Sequence, residues 1–597
     1  MEQTKINDWV INVATVNGSG SQSSNNILIK SLFRMGIPVG GKNLFPSNIQ
    51  GLPTWFTIRA NPHGHTSRQV ANDLTIAMNA QTVEKDMLSV KPGGVFLYND
   101  DLKFNVAALR SDVRNIAVPF RSLVDQATDS VKLKKLLTNM IYVGIVAELI
   151  EIDSNVLTEV INDMFSSKPK GVESNMKSIE IGRTYAREHI SGGFSLKARK
   201  MNENQGKILI EGNTAAALGM MYGGCTFIAW YPITPSSSLV ENFIHYSEKY
   251  RKDANGKNTF AVVQAEDELA SIAMVAGASW AGARAMTASS GPGLSLMAET
   301  AGLSYFAEVP CVLWDIQRVG PSTGLPTRVM QGDLLAAHYL SHGDTRHVLL
   351  LPGTTEECFE FGQTAFDLSE RMQTFVTVLS DIDLGMNLFI TKEFTYPTKP
   401  FDRGKVLNAE ALAKMEKYQR YADVDGDGIP YRTLPGTRDP KAAFLTRGSG
   451  HNESAQYTED NDSYVRLIDR LAKKYSSAKQ HVPKPIVKNT EKAIVGIISY
   501  GSNDGAVEEA RALLSDVGLK TNYLRIRALP FTEEVDEFLK KNERIYVVEQ
   551  NRDGQMRTLL QSDYPQHWNK MSSVLHYDGL PIHAELIRTK ISQKELN

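Results

Sequence analysis

CTFIAWYPITPSSS (225–238), TFAVVQAEDELASIAMVAGASW (259–280) and ARAMTASSGPGLSLMAETAGLSYFAEVPCVLWDIQRVGPSTGLPTR (283–328) repeat one pattern: a short apolar run, a turn rich in Gly, Pro, Ser or acid, then an apolar-periodic segment. The pattern predicts strands over 226–230, 259–263, 283–288 and 311–316, and helices over 236–250, 268–281 and 293–307. Short strands alternating with helices of this length argue for a mostly parallel sheet covered on both faces. In such sheets ligands sit at the carboxyl ends of the strands, so the loop after each strand is where function is sought.

Each of these loops carries usable chemistry and also a plainer explanation. Tyr231-Pro232-Ile233-Thr234-Pro235-Ser236 fixes Thr234 between two prolines ahead of a helix N-terminus that favours an anion, although an N-cap with stiff flanks accounts for it equally. Gln264-Ala265-Glu266-Asp267-Glu268 puts three acids in a first helical turn, where they offset the macrodipole and where one is also free for proton transfer. Ser289-Ser290-Gly291-Pro292-Gly293 is a tight turn that lets a ligand approach backbone. Asp315-Ile316-Gln317-Arg318 leads into a Gly/Pro-stiffened loop ending at Arg328, and an arginine fork there suits a carboxylate, unless it is merely solvated.

Outward from this centre the chain reads as further α/β units. Trp9 to Val16 runs into Asn17-Gly18-Ser19-Gly20-Ser21-Gln22-Ser23 and then Ile27 to Met35, a strand, Gly-rich turn and helix with Ser23 at the third Gly position of a dinucleotide motif. A helical stretch follows from Lys132 to Ile161, then a polar segment from Ser166 to Gly206, with a Ser191-Gly192-Gly193 break, that reads as linker. A Pro-, Gly- and Asp-rich break spans Phe394 to Gly450 and leads to a charged helix over 464–478. The last hundred residues start afresh, with strands over 493–499, 521–525 and 544–549 and helices over 505–517 and 532–540. The expected architecture is therefore three α/β domains: 1–190; a linker, 191–206; 207–400; an insertion and linker, 401–490; and 491–597.

Composition sets the outer bounds. The 597 residues hold 65 Lys plus Arg against 67 Asp plus Glu, a formal charge of −2, which leaves no electrostatic footprint for nucleic acid or an anionic membrane. No run of about 18 apolar residues predicts a membrane span, and MEQTKINDWV has no signal-peptide core, so a cytoplasmic protein is expected. Cys225, Cys311 and Cys358 lie far apart and cannot supply the four thiolates of a usual iron–sulfur cluster. Asp423-Val424-Asp425-Gly426-Asp427-Gly428 resembles the first half of an EF-hand loop, with Leu434 at position 12 in place of the bidentate Glu; Mg²⁺ or Ca²⁺ on Asp423, Asp425 and Asp427 stands against a tight Asp-Gly turn.

YPITPSS, QAEDE, GARAMTASSGPG, EVP and DIQRVGPSTGLPTR, in that order between Gly212 and Asp344, resemble the thiamine-diphosphate pyrimidine-type domain of the 2-oxoacid:ferredoxin oxidoreductase α subunits. The N-terminal part resembles that family's γ domain fused ahead of α, with a Gly-Ser-Gln-Ser turn where Gly-Gly-Gln-Gly is expected, and the C-terminal part resembles a transketolase C-terminal domain. The resemblance implies that Glu266 hydrogen-bonds the cofactor's aminopyrimidine ring and promotes its active tautomer. It further implies that Thr234 and Arg318 bind the 2-oxo and carboxylate groups of the substrate, that Tyr231, Pro232, Ile233, Ser290 and Gly291 contact the cofactor, and that Gly18, Gly20 and Ser502 contact coenzyme A. Arg432, Arg447 and His451 resemble a loop of the 2-oxoglutarate-type members and stand as candidates for a second substrate carboxylate, with an Asp-balanced surface loop as the alternative.

This chain lacks a diphosphate and Mg²⁺ motif, which the family places with a [4Fe–4S] cluster on a β subunit. The expectation is a fused γα subunit in an (αβ)2 assembly that converts 2-oxoglutarate and coenzyme A to succinyl-CoA and CO2 and reduces ferredoxin, with pyruvate or a branched-chain 2-oxoacid as the alternative substrate. The rivals are a nicotinamide oxidoreductase built on Gly18 to Ser23, which lacks an acid for the ribose about 20 residues on, and a non-catalytic scaffold subunit.

Overall fold

A computed structural model describes residues 4–46, 51–105, 110–190 and 193–596. It divides into two compact units, one of residues 1–210 with 387–393 and one of 211–386 with 394–597.

The N-terminal unit is built on a mixed eight-stranded sheet in the order 114–118, 90–99, 72–77, 9–16, 53–60, 39–44, 388–392, 207–211. Strand Trp9–Val16 is buried along nearly its whole length and pairs parallel to Asn72–Ala77 and antiparallel to Pro53–Ala60. The Gly-rich turn after it closes as read: Gly18 and Gly20 take φ of 80° and 85°, and Gly20 precedes helix Ser21–Arg34. A Cβ on Gly20 would fall 2.6 Å from Leu136 Cδ2, and Asn139 Nδ2 donates to the Ser19 carbonyl at 2.8 Å, so helix Val131–Leu149 packs over this turn.

Two readings of this unit are corrected. The stretch read as one helix over 132–161 is two, Val131–Leu149 and Ser154–Phe165, separated by Glu151 at φ 64° and restarted by Asp153, whose side chain accepts from Asn155 and Val156 N–H groups. The segment read as linker contains a 21-residue helix, Pro169–His189. Its inward face is made of Ser178, Gly182 and Ala186 beside Ile179 and Arg183, a small-residue stripe that hides among Lys and Ser in the sequence. Gly182 and Gly144 let the two helices approach until a Cβ on either would overlap the other's backbone carbonyl, at Ile141 and Ile179 respectively. Ser191 and Gly192 lie outside the described residues, but Leu196–Lys197 pairs with Lys5–Ile6 and Asn204 Nδ2 donates to the Phe33 and Ile37 carbonyls at 2.8 Å, so the chain beyond them is bound to this unit.

The second unit contains the decisive stretch. Its main sheet orders strands Ala261–Gln264, Phe227–Trp230, Ala285–Ser289, Cys311–Gln317, Phe375–Asp381, Val348–Leu350 and Ala528–Leu529, all parallel except the last. Helices Gly212–Tyr222, Ser237–Tyr250, Glu268–Trp280, Ala298–Ala307 and Thr355–Met372 alternate with them. The C-terminal five-stranded sheet runs 486–488, 521–526, 495–500, 544–549, 571–575; the three strands and two helices expected here lie within two residues of the reading, while strands 486–488, inside the stretch read as linker, and 571–575, with helices Gln555–Asp563 and Ala584–Glu595, are additional. Ala528–Leu529 pairs with Val348–Leu350 of the main sheet, and one apolar core continues from Ala229 and Leu313 through Tyr500 and Val547 to Met571. The C-terminal sheet is thereby joined to the main sheet rather than hung from it.

Candidate functional site

The parallel order places four loops at one edge of the main sheet. Tyr231, Ala265, Ser290 and Arg318 follow directly on four strands whose registers align Trp230 with Gln264 and Ser289 with Asp315. In the first loop Pro235 and Ser236 are buried, Thr234 is half-buried and Tyr231 is 40% exposed. Asn213 holds this loop from below, its Nδ2 donating to the Pro235 carbonyl at 3.0 Å and to Ser238 Oγ at 2.8 Å. The Thr234-Pro235 peptide is cis.

The three acids have three different tasks. Asp267 is the N-cap, its Oδ1 accepting from Ala270 N–H at 2.7 Å, a bond that satisfies one of the helix's free donors. Glu268 is buried, with its Cγ close enough to Gly293 that a Cβ there would meet it at 2.8 Å. Glu266 alone is exposed, two residues beyond the end of strand Ala261–Gln264. Ser290 donates from Oγ to the Ile316 carbonyl at 2.8 Å, tying the Ser290-Gly291 turn to the neighbouring strand.

Arg318 is 7% exposed, and its Nη1 donates to the Thr234 carbonyl at 2.5 Å. Burial lowers its guanidinium from the ordinary value, opposed by Asp333 and Asp315 close by. Thr234 and Arg318, read from separate loops, are thus brought into contact, with the Ser290-Gly291 turn on the strand between theirs.

Ser502 reaches the same edge. Its hydroxyl donates to Asp381 Oδ2, at the end of strand Phe375–Asp381, and accepts from Gln550 Nε2 at 3.1 Å. Gln331, which sequence reasoning missed, is at the centre of this junction: its Nε2 donates to the Tyr500 carbonyl, and its Oε1 accepts from Asn503 Nδ2 at 2.9 Å and Gln550 N–H at 3.1 Å. Glu549, at the end of its strand, and Asn551 just beyond it continue the network, Asn551 Nδ2 donating to Glu549 Oε2 at 2.9 Å. Asp333 was missed as well, since an isolated acid in a loop carries no signal of its own.

Arg432, Arg447 and His451 do not join the site. Arg432 Nη2 pairs with Glu370 Oε1 at 3.4 Å, beside Arg284 and Arg403 on the same carboxylate, and Glu370 lies just before strand Phe375–Asp381. His451 packs on Tyr421 and Phe306, ring centroids 4.2 and 5.2 Å away, just ahead of strand Cys311–Gln317. Arg447 lies over Tyr457, and its neighbour Thr446 accepts from Trp280, at the end of the helix that precedes strand Ala285–Ser289. All three therefore lie at the amino ends of the strands, about 20 Å of extended chain from Arg318.

The Asp423–Asp427 loop is likewise occupied by protein. Lys405 Nζ lies 2.7 Å from Asp425 Oδ2 and 2.8 Å from Asp427 Oδ1, Lys473 Nζ lies 3.0 Å from Asp423 Oδ2, and Asp423 Oδ1 accepts from Gly428 N–H. Ammonium groups take the positions expected of a cation, and among the described residues no group of three or more His, Cys, Asp or Glu is arranged to hold a metal ion.

The 2-oxoacid:ferredoxin oxidoreductase 2 α subunit of Aeropyrum pernix is 31% identical over 95% of this chain and 94% of its own. The chain belongs to the 2-oxoacid:ferredoxin oxidoreductase family, as an α subunit. Residues 218–424 match the thiamine-diphosphate-binding model of the pyruvate flavodoxin/ferredoxin oxidoreductases, and residues 10–185 the pyruvate ferredoxin/flavodoxin oxidoreductase model. The 2-oxoglutarate synthase subunit KorA of Methanothermobacter thermautotrophicus is 33% identical over 58% of the oxidoreductase subunit described here and 88% of its own length. The 2-oxoglutarate:ferredoxin oxidoreductase of Magnetococcus marinus, solved with 2-oxoglutarate, coenzyme A and succinyl-CoA, superposes with a TM-score of 0.86 at 28% identity, over 98% of this α subunit and 99% of that chain. Membership sets aside the nicotinamide reading of the Gly18–Ser23 turn. Among the described residues no helix is long and apolar enough to cross a membrane.

The oxidoreductase subunit's site suits the pyrimidine half of a thiamine cofactor. An exposed carboxylate at a strand end, flanked by exposed Tyr231 and Leu269, offers an acceptor to the edge of a polar heteroaromatic ring and apolar surface to its face.

Proposed function

We propose that this subunit, joined to a β subunit, converts 2-oxoglutarate and coenzyme A to succinyl-CoA and CO2 and passes the electrons to ferredoxin. The observation that carries this reading is the Arg318–Thr234 contact beside exposed Glu266 at the carboxyl edge of one parallel sheet. Arg318 binds the carboxylate next to the oxo group with a planar fork. Thr234 orients the oxo group, and Glu266 holds and returns a proton at the pyrimidine ring. When bound, thiamine diphosphate supplies the carbanion chemistry of decarboxylation.

A partner chain is supported by the outer face of helix Glu268–Trp280. Leu269, Met274 and Trp280 are 47%, 40% and 40% exposed, with Ala273 and Gly277 between them, an apolar stripe that begins beside Glu266. We assign this stripe to the β subunit, together with the diphosphate, its Mg²⁺ and a [4Fe–4S] cluster. The choice of 2-oxoglutarate rests on the names of the KorA and Magnetococcus marinus relatives, since Arg432, Arg447 and His451 point to the other edge.

The test is anaerobic, coenzyme A-dependent reduction of ferredoxin by the co-expressed αβ complex, offered 2-oxoglutarate, pyruvate and 2-oxoisovalerate in turn. Activity with 2-oxoglutarate and little with the others is expected. Preference for another 2-oxoacid would retain the Arg318 assignment and discard the substrate, while a cofactor- and cluster-replete complex inactive with all three would discard both.

A further inference from the structure

Two carboxyl groups beneath Arg318 face each other. Asp315, in strand Cys311–Gln317, is 0% exposed, and neither of its oxygens meets a hydrogen-bond donor; Asp333 Oδ2 is buried without one as well. Gln317, two residues along the same face of this strand from Asp315, accepts from Asp333 N–H and so brings the two buried carboxyls together with no donor between them. Ionised carboxylates are acceptors only, so a hydrogen bond between them exists only if a proton stands in it. Asp333 also touches the cofactor-side turn, because a Cβ on Gly291 would lie 3.0 Å from both of its oxygens. Its position is fixed by the backbone, where Asp333 N–H donates to Gln317 Oε1 at 3.0 Å.

We propose that Asp315 and Asp333 share one proton and act, as a singly charged pair, as positioning residues that keep Arg318 ready for the carboxylate of the 2-oxoacid. This rests on the substrate class proposed above. With the proton in place, the pair carries one negative charge against one on the guanidinium, and the arriving carboxylate meets a neutral cluster with free N–H donors. Without it, the cluster is already an anion and repels the substrate. Burial, and for Asp315 the neighbouring Asp333, push both carboxyls above their ordinary range, the direction a shared proton requires. Arg318 is the cation facing the pair. From the adjoining elements the titratable groups are Asp381, at the end of the neighbouring strand, and Tyr500 and Glu549 of the C-terminal sheet; burial raises both Tyr500 and Glu549, leaving them uncharged over a wider range.

Asp333→Asn and Asp315→Asn each replace the shared proton with a permanent amide N–H while keeping one charge. In the wild-type αβ complex KM for the 2-oxoacid is expected to rise toward tenfold per pH unit on the alkaline side, with kcat changing much less. In either variant KM at pH 7 stays within about threefold of wild type and the alkaline rise falls below twofold, whereas Asp333→Leu, which cannot donate, raises KM already at pH 7. Infrared difference spectra of wild type against each variant report the shared proton without turnover: a protonated-carboxyl C=O stretch is expected in the wild type and lost in both. A band present in a complex that consumes no 2-oxoacid would keep the proton and sink the substrate reading. Absence of the band, or an alkaline KM rise that persists in both variants, overturns the inference.

Discussion

Arg318 Nη1 donates to the carbonyl oxygen of Thr234 at 2.5 Å, joining loops that follow two strands separated in the sheet by Ala285–Ser289. The contact uses one arm of the guanidinium on the protein and leaves the rest of the fork for a ligand. A lysine supplies the charge but not the fork. Arg318→Lys is therefore expected to lose about 1.5–3 kcal/mol of substrate interaction, a roughly 10- to 150-fold fall in kcat/KM, expressed mainly in KM. Steady-state kinetics of the αβ complex check this, and an unchanged KM would remove Arg318 from the substrate.

Glu266 is the exposed acid of its triplet, while Asp267 and Glu268 serve the helix. Glu266→Gln keeps shape and hydrogen bonding but cannot exchange a proton, so turnover is expected to fall roughly 100- to 10,000-fold with complex formation intact by gel filtration. Asp267→Asn should retain most activity, because asparagine caps a helix about as well as aspartate. Equal losses in the two variants would contradict this division of tasks.

Strand, turn and helix positions of the second unit were legible because Val-, Ile- and Ala-rich strands there alternate with Gly- and Pro-marked turns, each a local signal. Helix Pro169–His189 was not, because it packs through Ser178, Gly182 and Ala186, residues that carry little hydrophobic periodicity. At the site, Thr234, Glu266 and Arg318 stand in loops after strands, which the alternating pattern announces, while the resemblance to the family singled out these residues within the loops. Gln331 and Asp333 come from a loop whose path is set by packing against the C-terminal sheet, and Arg432 and His451 were misplaced because nothing local says which end of the sheet an insertion folds against.

That helix contact makes a stability prediction. A methyl on Gly182 would overlap the Ile141 carbonyl, which is backbone and cannot rotate away. Gly182→Ala should cost about 3 kcal/mol or more, whereas Gly171→Ala, near the exposed start of the same helix with only Lys168 Cβ at 3.5 Å, should gain about 0.5–1 kcal/mol from helix propensity. Thermal melts of the two variants should move in opposite directions.

The Asp423–Asp427 loop gives a ligand prediction. Because Lys405 and Lys473 already pair with all three of its carboxylates, millimolar Ca²⁺ or chelator should leave Tm of the isolated chain unchanged. A functional calcium loop at 100 times its Kd would instead add about 2.7 kcal/mol, a shift of about 2 °C for a chain of this length.

Glu308 offers the sharpest test of the amino edge. It is wholly buried before strand Cys311–Gln317, paired bidentately with Arg470 and at 2.8 Å with Lys474. Burial alone would raise its carboxyl, but Arg470 and Lys474 outweigh that and hold it at about 2, down from 4.5. A carboxyl lowered in the folded state contributes stability that is complete above its unfolded value and is lost as pH falls from about 4.5 towards 2, here roughly 3 kcal/mol. Glu308→Gln leaves two buried cations without a counter-charge and should cost about 3–5 kcal/mol at pH 7. In denaturant titrations the gap between wild type and variant should narrow at pH 3, because the unfolded wild type takes up a proton there while the folded carboxyl is still ionised, and the glutamine has no proton to take up; a gap that stays constant would mean that Glu308 is not ionised in the folded protein.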